Sequence, residues 1–463
     1  MRIHMIGISG TGMGALAGLL LDAGHEVSGS DLRFDPPIGD LLRSSGARLL
    51  QGFAADHVEA GIDLVIVGNV CRSTNVEAVR AGELGLRRAS MPGTVDELFL
   101  RCRRSFVIAG THGKTTTTSL VAHVLHSLGR DPSFLVGGVP ANFGTGHRLG
   151  HGKDFVIEGD EYDSAFFEKV PKMWRYRPWA AVVTSMEHDH VDIYPTADLY
   201  AAAFRRFVEL LPEEGLLVLN ADSDEVVALA AHSVARVVTF GLGDARGSAD
   251  FVATPRPSGF DLVVRGQACG RYDLAVPGRH NVANAAAAVA VCHEALSISF
   301  DDLRPALASF RGVKRRQELV GTPGGVRLYD DFAHHPTEVA ATLAALAGLH
   351  PTARLCAVFE PRSATACRRL HQEAYAGAFD AAAEVLVARV GRPDLPAEEQ
   401  LDVGRLVSDL RSRGLAAQGP LEIDEIVGHV VAAARPGDVV AVLSNGSFGG
   451  IHEALRRALD AAR

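Results

Sequence analysis

Short, unbroken apolar runs punctuate the chain. They are Ile3-His-Met-Ile6, Leu64-Val-Ile-Val67, Phe106-Val-Ile108, Phe155-Val-Ile157, Ala180-Ala-Val-Val183, Leu216-Leu-Val-Leu219 and Val439-Val-Ala-Val-Leu443. Each is followed by Gly, Ser, Asn, Asp or Glu, the residues of strand-end loops. A run without period-two alternation buries both of its faces, which predicts parallel strands covered by helices on either side. Helix-like stretches separate the runs, so the connections read as right-handed βαβ units and the fold class as α/β.

Length and charge narrow this picture. A chain of 463 residues, at about 150 per domain, makes roughly three domains. Two basic seams, Leu100-Arg-Cys-Arg-Arg104 and Arg311-Gly-Val-Lys-Arg-Arg316, suggest boundaries that give domains 1–104, 105–312 and 313–463. Lys and Arg number 46 against 55 Asp and Glu, a net charge of −9, which argues against a nucleic-acid coat. Anionic small substrates need only a local basic pocket and stay open. No apolar run is long enough for a transmembrane helix, and Met1-Arg-Ile-His-Met-Ile-Gly7 reads as a first strand rather than a signal peptide. The 6 cysteines are scattered without Cys-x-x-Cys, as expected of a reduced, cytoplasmic protein.

Two glycine loops carry the chemistry. The first strand runs into Gly7-Ile-Ser-Gly10-Thr11-Gly12-Met13-Gly14-Ala15, with a helix expected over Leu16 to Ala23. Gly10-x-Gly12-x-x-Ala15 fits a dinucleotide fingerprint, and Asp31 ends the next short strand where a ribose-binding acid would stand. Alone, this pattern signals a diphosphate carrying a sugar and points to a nicotinamide-dependent oxidoreductase ahead of a bare strand–helix turn. The second loop, Gly110-Thr111-His112-Gly113-Lys114-Thr115-Thr116, follows a buried strand and precedes a helix expected over Ser119 to Leu128. The glycine spacing departs from the common phosphate-loop pattern, since Ile108 stands five before Gly113. The working parts remain: amides from Gly110 to Thr115 for phosphate oxygens, Lys114 for terminal phosphates, and the Thr115 hydroxyl for Mg²⁺.

Acids at the next strand ends supply metal ligands. Glu158-Gly-Asp160-Glu161-Tyr-Asp163 gathers four carboxylates that need a cation, a cationic partner or full solvation. Glu158, at the strand end, is the expected Mg²⁺ ligand. Glu187-His188-Asp189-His190 closes another strand, where α/β sites form, and offers a second metal position.

The phosphate loop, the acidic strand end at 158, Asp189-His190, Gly278-Arg-His-Asn281-Val-Ala-Asn284 and Asp330-Asp-Phe-Ala-His-His-Pro-Thr337 together resemble the Mur ligase family. The resemblance covers the whole chain in order. It implies an ADP-forming amide ligase of cell-wall synthesis: a Rossmann-like N-terminal domain for a UDP-sugar, a central P-loop ATPase-like parallel sheet for ATP, and a Rossmann-like C-terminal domain for peptide. Lys114, Glu158 and His190 become the catalytic set, with Thr115, Glu158 and His190 as ligands for two Mg²⁺. ATP would meet residues 110–116, His280, Asn281, Asn284, Arg315 or Arg316, and Asp331. The asparagines could equally be helix caps. The UDP-sugar would meet Gly10 to Gly14, Asp31, Asn69 and Asn142; the peptide would meet His334, His335, Arg362, Ser444 and Asn445. Arg362 also reads as an ordinary surface arginine.

Within the family two activities compete. One joins UDP-N-acetylmuramate to L-alanine; the other joins it to the tripeptide L-alanyl-γ-D-glutamyl-meso-diaminopimelate in peptidoglycan recycling. Glu161-Tyr162-Asp163, Phe332-Ala333, Glu360-Pro-Arg-Ser363 and Ser444-Asn-Gly-Ser-Phe448 resemble the tripeptide-adding member. Gly159 stands where alanine is usual and Ser447 where glycine is common. Some members carbamylate a lysine after the Asp-His motif; here Arg205 and Arg206 occupy that helix, so none is expected. The remaining expectations are small-molecule substrates, no membrane, and a monomer or weak homodimer. Two distant alternatives are the oxidoreductase above and a nucleotide-binding regulatory module without chemistry.

Overall fold

The apolar runs become the central strands of three sheets. The computed structural model describes residues 1–243, 249–392 and 395–462. The chain divides into two compact units. One holds Met1–His188, Thr196–Ala275 and Val282–Val313; the other holds Asp189–Pro195, Val276–Asn281 and Lys314–Arg463.

The first unit carries two large sheets and a two-stranded hairpin, Asp163–Ala165 with Glu168–Pro171. A five-stranded sheet has the order Arg48–Gln51, Glu26–Asp31, Arg2–Ile6, Leu64–Val67, Arg88–Ser90, parallel throughout. Strand Leu64–Val67 is buried at every position, as its unbroken run requires. Beneath this sheet Glu77 is fully buried and meets His4 at 3.2 Å, His57 at 2.7 Å, the Ser30 hydroxyl and the Ala54 N–H. Burial opposes ionisation of Glu77, but these donors outweigh it and keep its carboxyl below the usual range.

The second sheet of this unit has ten strands, with Arg104–Ala109 lying between Asp154–Gly159 and Pro178–Val183. Its core is parallel. One edge continues through Phe251–Arg256, Gly259–Val264 and Gln267–Asp273, which pair antiparallel in succession. The alternating burial along Phe251–Arg256 (buried, then half-buried) belongs to a sheet with one solvated face. The apolar-run criterion selects strands buried on both faces, so it missed these.

The second unit carries a six-stranded sheet ordered Glu318–Gly321, Arg327–Asp331, Val439–Leu443, Leu355–Phe359, Glu384–Ala388, Ala416–Leu421. All neighbours are parallel except the antiparallel edge Glu318–Gly321. Apolar clusters cover both faces, one around Val339, Leu343, Tyr375 and Leu406, the other around Ile426, Val430, Ile451 and Leu455. No helix among the described residues is long and apolar enough to cross a membrane.

Candidate active site

The helix after each glycine loop starts five residues earlier than expected, at Thr11 rather than Leu16 and at Lys114 rather than Ser119. The first helix is Thr11–Asp22 with Gly10 as its N-cap, so Gly12 to Gly14 form its opening turn. Gly7 turns the chain at φ +80°, where L side chains are strained, and its N–H and that of Ile8 bond the Ser30 carbonyl. Asp31 closes strand Glu26–Asp31 and accepts from the Ser9 and Leu32 N–H groups at 3.0 and 2.8 Å. It therefore fixes the loop's shape. Met13 is 6% exposed, so only its backbone is offered to a ligand, and Asn69 is half-buried beside the same strand ends. A cleft of about 340 Å³ runs along this helix, lined by Thr11, Gly14, Ile38, Gly138 and His147 among others. Asn142 lies in the first unit also. Its side chain donates to the Ser309 carbonyl at 2.9 Å and accepts the Arg311 N–H at 2.8 Å, pinning that turn.

In the central sheet, the helix after the phosphate loop is Lys114–Ser127, capped by Gly113 at φ +80°. Lys114, Thr115 and Thr116 thus occupy its first turn, where backbone N–H groups point outward and the helix dipole favours anions. A side chain at Gly113 would strike the Asn284 amide, at 2.4 Å from its Oδ1. Asn284 is therefore set against the loop. Two of the amides expected to wrap phosphate are already used: Thr111 N–H bonds the Ser185 carbonyl at 3.1 Å, and His112 N–H the Ser185 hydroxyl at 2.8 Å. His112 also meets Glu187 at 3.3 Å. The strand-end residues 184–187 thereby hold the loop's first half rigid.

Glu158 faces the helix start. Its Oε1 accepts the Thr115 hydroxyl at 3.1 Å and its Oε2 the Gly137 N–H at 2.8 Å. A hydroxyl and a carboxylate in contact are the hard oxygen donors that Mg²⁺ takes, so these residues fit that ion. The other acids of the cluster have protein cations as partners. Asp160 meets Lys172 at 2.6 Å, Asp163 meets Lys169 at 2.7 Å, and Glu161 meets Lys114 at 3.0 Å. Burial raises the Asp160 carboxyl, yet Lys172 and Lys114 outweigh it and bring it to about 2. Burial likewise opposes the charge on Lys114, and Glu161, Asp160 and Glu158 overcome it, raising its pKa above the usual lysine value. Tyr200, absent from the sequence-based set, closes the group: its hydroxyl donates to Glu161 at 3.1 Å and meets the Thr111 hydroxyl at 2.8 Å. The signal was available. Tyr200, Phe204 and Phe207 share the buried stripe of helix Ala197–Val208, and a buried tyrosine hydroxyl needs a partner.

The second unit holds the remaining candidates. His190 sits there at φ +53°, a strained conformation for a non-glycine residue, with its N–H on the Asp189 carboxylate at 2.7 Å. His280 is half-buried next to Gln317, and desolvation pushes its pKa down to about 4 despite Glu338. Asn281 donates to the Pro277 carbonyl at 2.7 Å. Arg315 bonds the Ser444 and Gly446 carbonyls at 2.7 and 2.6 Å and Asp330 at 3.2 Å, so it braces strand ends. Arg316 lies over the Phe332 ring, 5.1 Å from its centre. His335 caps helix Pro336–Leu349, and the His334 carbonyl accepts the Tyr375 hydroxyl at 2.5 Å. Strands Leu355–Phe359 and Val439–Leu443 end together, with Phe359 beside Leu443. That register joins the Ser444 hydroxyl to Glu360 and lays the Arg362 side chain across Gly446 and Gly391. The Asn445 Oδ1 is buried there with no hydrogen bond from any of the described residues.

Asp331 gives a pH test in this unit. Burial lifts its carboxyl to about 6, against the pull of Arg316 and of the Ala333 and Gln317 N–H groups. A folded-state value above the unfolded one favours the protonated form, so stability declines as pH rises through about 6. Between pH 5 and 8 the loss should be about 1.4 kcal/mol. Urea unfolding of Asp331→Asn beside the parent chain should show that decline only in the parent; parallel curves would refute it.

Three family descriptions match in order: "Mur ligase family, catalytic domain" over residues 2–101, "Mur ligase middle domain" over 108–292 and "Mur ligase, glutamate ligase domain" over 315–446. The chain is 37% identical, over 98% of its length and 97% of the relative's, to the UDP-N-acetylmuramate–L-alanyl-γ-D-glutamyl-meso-2,6-diaminoheptandioate ligase of Escherichia coli. It is 36% identical to the UDP-N-acetylmuramate–L-alanine ligase of Salinibacter ruber, over 99% and 95% of the two chains. Among solved structures, a murein peptide ligase from Psychrobacter arcticus superposes with a TM-score of 0.76 at 32% identity, covering 99% of each chain. A UDP-N-acetylmuramate–alanine ligase from Thermotoga maritima gives 0.83 at 25% identity, covering 100% of each. With its three α/β domains, its phosphate loop and these whole-length matches, the chain belongs to the Mur ligase family of ATP-dependent enzymes that form amide bonds.

Proposed function

We propose that the chain joins UDP-N-acetylmuramate to L-alanyl-γ-D-glutamyl-meso-diaminopimelate, with ATP as phosphoryl donor and Mg²⁺ as the metal. The contact between Thr115 and Glu158 at the start of the phosphate-loop helix, beside Lys114, carries the phosphoryl-transfer part of this reading. The lactyl carboxylate attacks the γ-phosphoryl group and displaces ADP, giving an acyl phosphate. The tripeptide amine then adds to the acyl carbon, and the tetrahedral intermediate expels phosphate to leave the amide. Bringing two anions together is the barrier. Lys114 offsets charge on the transferring oxygens, and the amides of the first helical turn orient them. Thr115 and Glu158 would hold Mg²⁺, which supplies further charge neutralisation there.

In this reading residues 1–104 take the UDP-sugar, with Gly10 to Gly14 at the diphosphate. Residues 105–312 take ATP, with Asn284 on the nucleotide side of the loop. Residues 313–463 take the peptide, where Arg362 can grip a carboxylate bidentately and the Asn445 amide oxygen can accept from an ammonium. The reaction's nucleotide substrates and the 6 free cysteines suit the cytoplasm. Tyr162, Phe332-Ala333 and Glu360-Pro-Arg-Ser363 favour the tripeptide, as does the Escherichia coli relative. The relative from Salinibacter ruber favours L-alanine as the second reading. Purified protein given ATP, Mg²⁺, UDP-N-acetylmuramate and either acceptor should release ADP with the tripeptide. Release with alanine alone would move the assignment to the second reading.

A further inference from the structure

The Lys114 ammonium is fully occupied inside the chain. It lies 2.5 Å from the Gly110 carbonyl, 3.1 Å from that of Thr111, and 3.1 and 3.0 Å from the two oxygens of Glu161. An ammonium has three N–H donors, so a phosphate oxygen reaching Nζ must displace one of these acceptors. Two of them are carbonyls of the loop itself. Glu161 is the charged one, and its side chain is 0% exposed, closed off from water. Its Oε1 takes the Tyr200 hydroxyl at 3.1 Å. The Tyr200 oxygen in turn accepts the Thr111 hydroxyl at 2.8 Å, and the Thr111 oxygen accepts the Glu187 N–H at 2.9 Å. A continuous chain of bonds therefore runs from the end of strand Pro178–Val183 through Thr111, Tyr200 and Glu161 to Lys114.

We propose that Glu161 is a positioning residue that holds Lys114 as a stand-in for the terminal phosphate, and that Tyr200 sets how tightly it holds. This rests on the reading that the loop takes ATP. Nucleotide binding then exchanges one anion for another at Nζ. The carboxylate competes with the triphosphate in the ground state, and in return aligns the ammonium for the transferring phosphoryl group. Tyr200 weakens that competition, because its donated hydrogen bond draws charge away from Glu161.

The two partners should therefore move the Michaelis constant for ATP in opposite directions. In Glu161→Gln a neutral amide competes less, so KM for ATP should fall two- to fivefold while kcat falls tenfold or more, the pattern of relieved ground-state strain. In Tyr200→Phe the carboxylate keeps its full charge, so KM for ATP should rise two- to fivefold with kcat within threefold of the parent. The phenylalanine retains the ring packing on Phe204 should the first variant fold poorly. Titration calorimetry with a non-hydrolysable ATP analogue reads the same opposite shifts without any acceptor substrate. Both KM values rising, or both staying put, would overturn the proposal, since a merely structural pair moves them together. A parent chain that turns over normally isolates that failure to Glu161 and Tyr200. A parent chain that binds no analogue would overturn the proposal together with the ATP reading beneath it.

Discussion

Glu158→Gln should lower kcat by a hundredfold or more while leaving the fold almost untouched. The side chain is half-buried, and its protein bonds include one to the Thr115 hydroxyl and one to the Gly137 N–H. Glutamine keeps an acceptor oxygen for one of these. The other bond faces an amide NH₂, at a cost of about 1 kcal/mol of stability. What disappears is the charge. A carboxylate that holds a divalent cation against a transferring phosphoryl group contributes roughly 3 kcal/mol to the barrier, about a hundredfold in rate. Steady-state ADP release and a thermal melt, run on the same preparation, check both halves. Activity within threefold of the parent would remove Glu158 from the reaction.

Lys114→Ala should fail on both measurements. Activity should fall by about a thousandfold, because the main positive charge at the terminal phosphate is gone. Stability should also fall, by about 3 to 5 kcal/mol, because Glu161 is left as a buried carboxylate without its counterion. Lys114→Met restores the apolar stem but not the charge, so it should recover little of either. The pH behaviour follows from the raised pKa of Lys114. A cation whose folded value exceeds its unfolded one keeps its full stabilisation below the unfolded lysine pKa and loses it only at higher pH. An alkaline limb in the rate below about pH 10 therefore belongs to another group. Chemical unfolding and ADP release on the three proteins separate these effects. A stable, inactive Lys114→Ala would show that Glu161 does not depend on Lys114.

The contrast between the two variants shows what was legible in sequence. Strands with unbroken apolar runs were legible, because burial on both faces leaves no alternation to read. The antiparallel strands from Phe251 to Asp273 were not, since their burial is one-sided and their polar positions resemble loop. The phosphate loop, Glu158 and Thr115 were legible because each is fixed by local spacing at a strand end. The acidic cluster was seen as a cation-binding group, but its division was hidden. Lys169 and Lys172 fold back on Asp163 and Asp160 through the hairpin Asp163–Ala165 and Glu168–Pro171, while Glu158 meets the Thr115 hydroxyl. Tyr200 lies 39 residues from Glu161 in sequence, and only the packing of helix Ala197–Val208 brings them together. The resemblance implies Arg315 or Arg316 at ATP; the structure gives Arg315 three bonds to its own sheet ends, which the sequence could not reveal.

The central claim is that this chain activates a carboxylate as an acyl phosphate before forming the amide. UDP-N-acetylmuramate labelled with ¹⁸O in its lactyl carboxylate, turned over with ATP, Mg²⁺ and the tripeptide, tests it most directly. One labelled oxygen should leave with phosphorus, so inorganic phosphate should carry a single ¹⁸O in step with each amide formed. Amide formation with unlabelled phosphate would contradict the account.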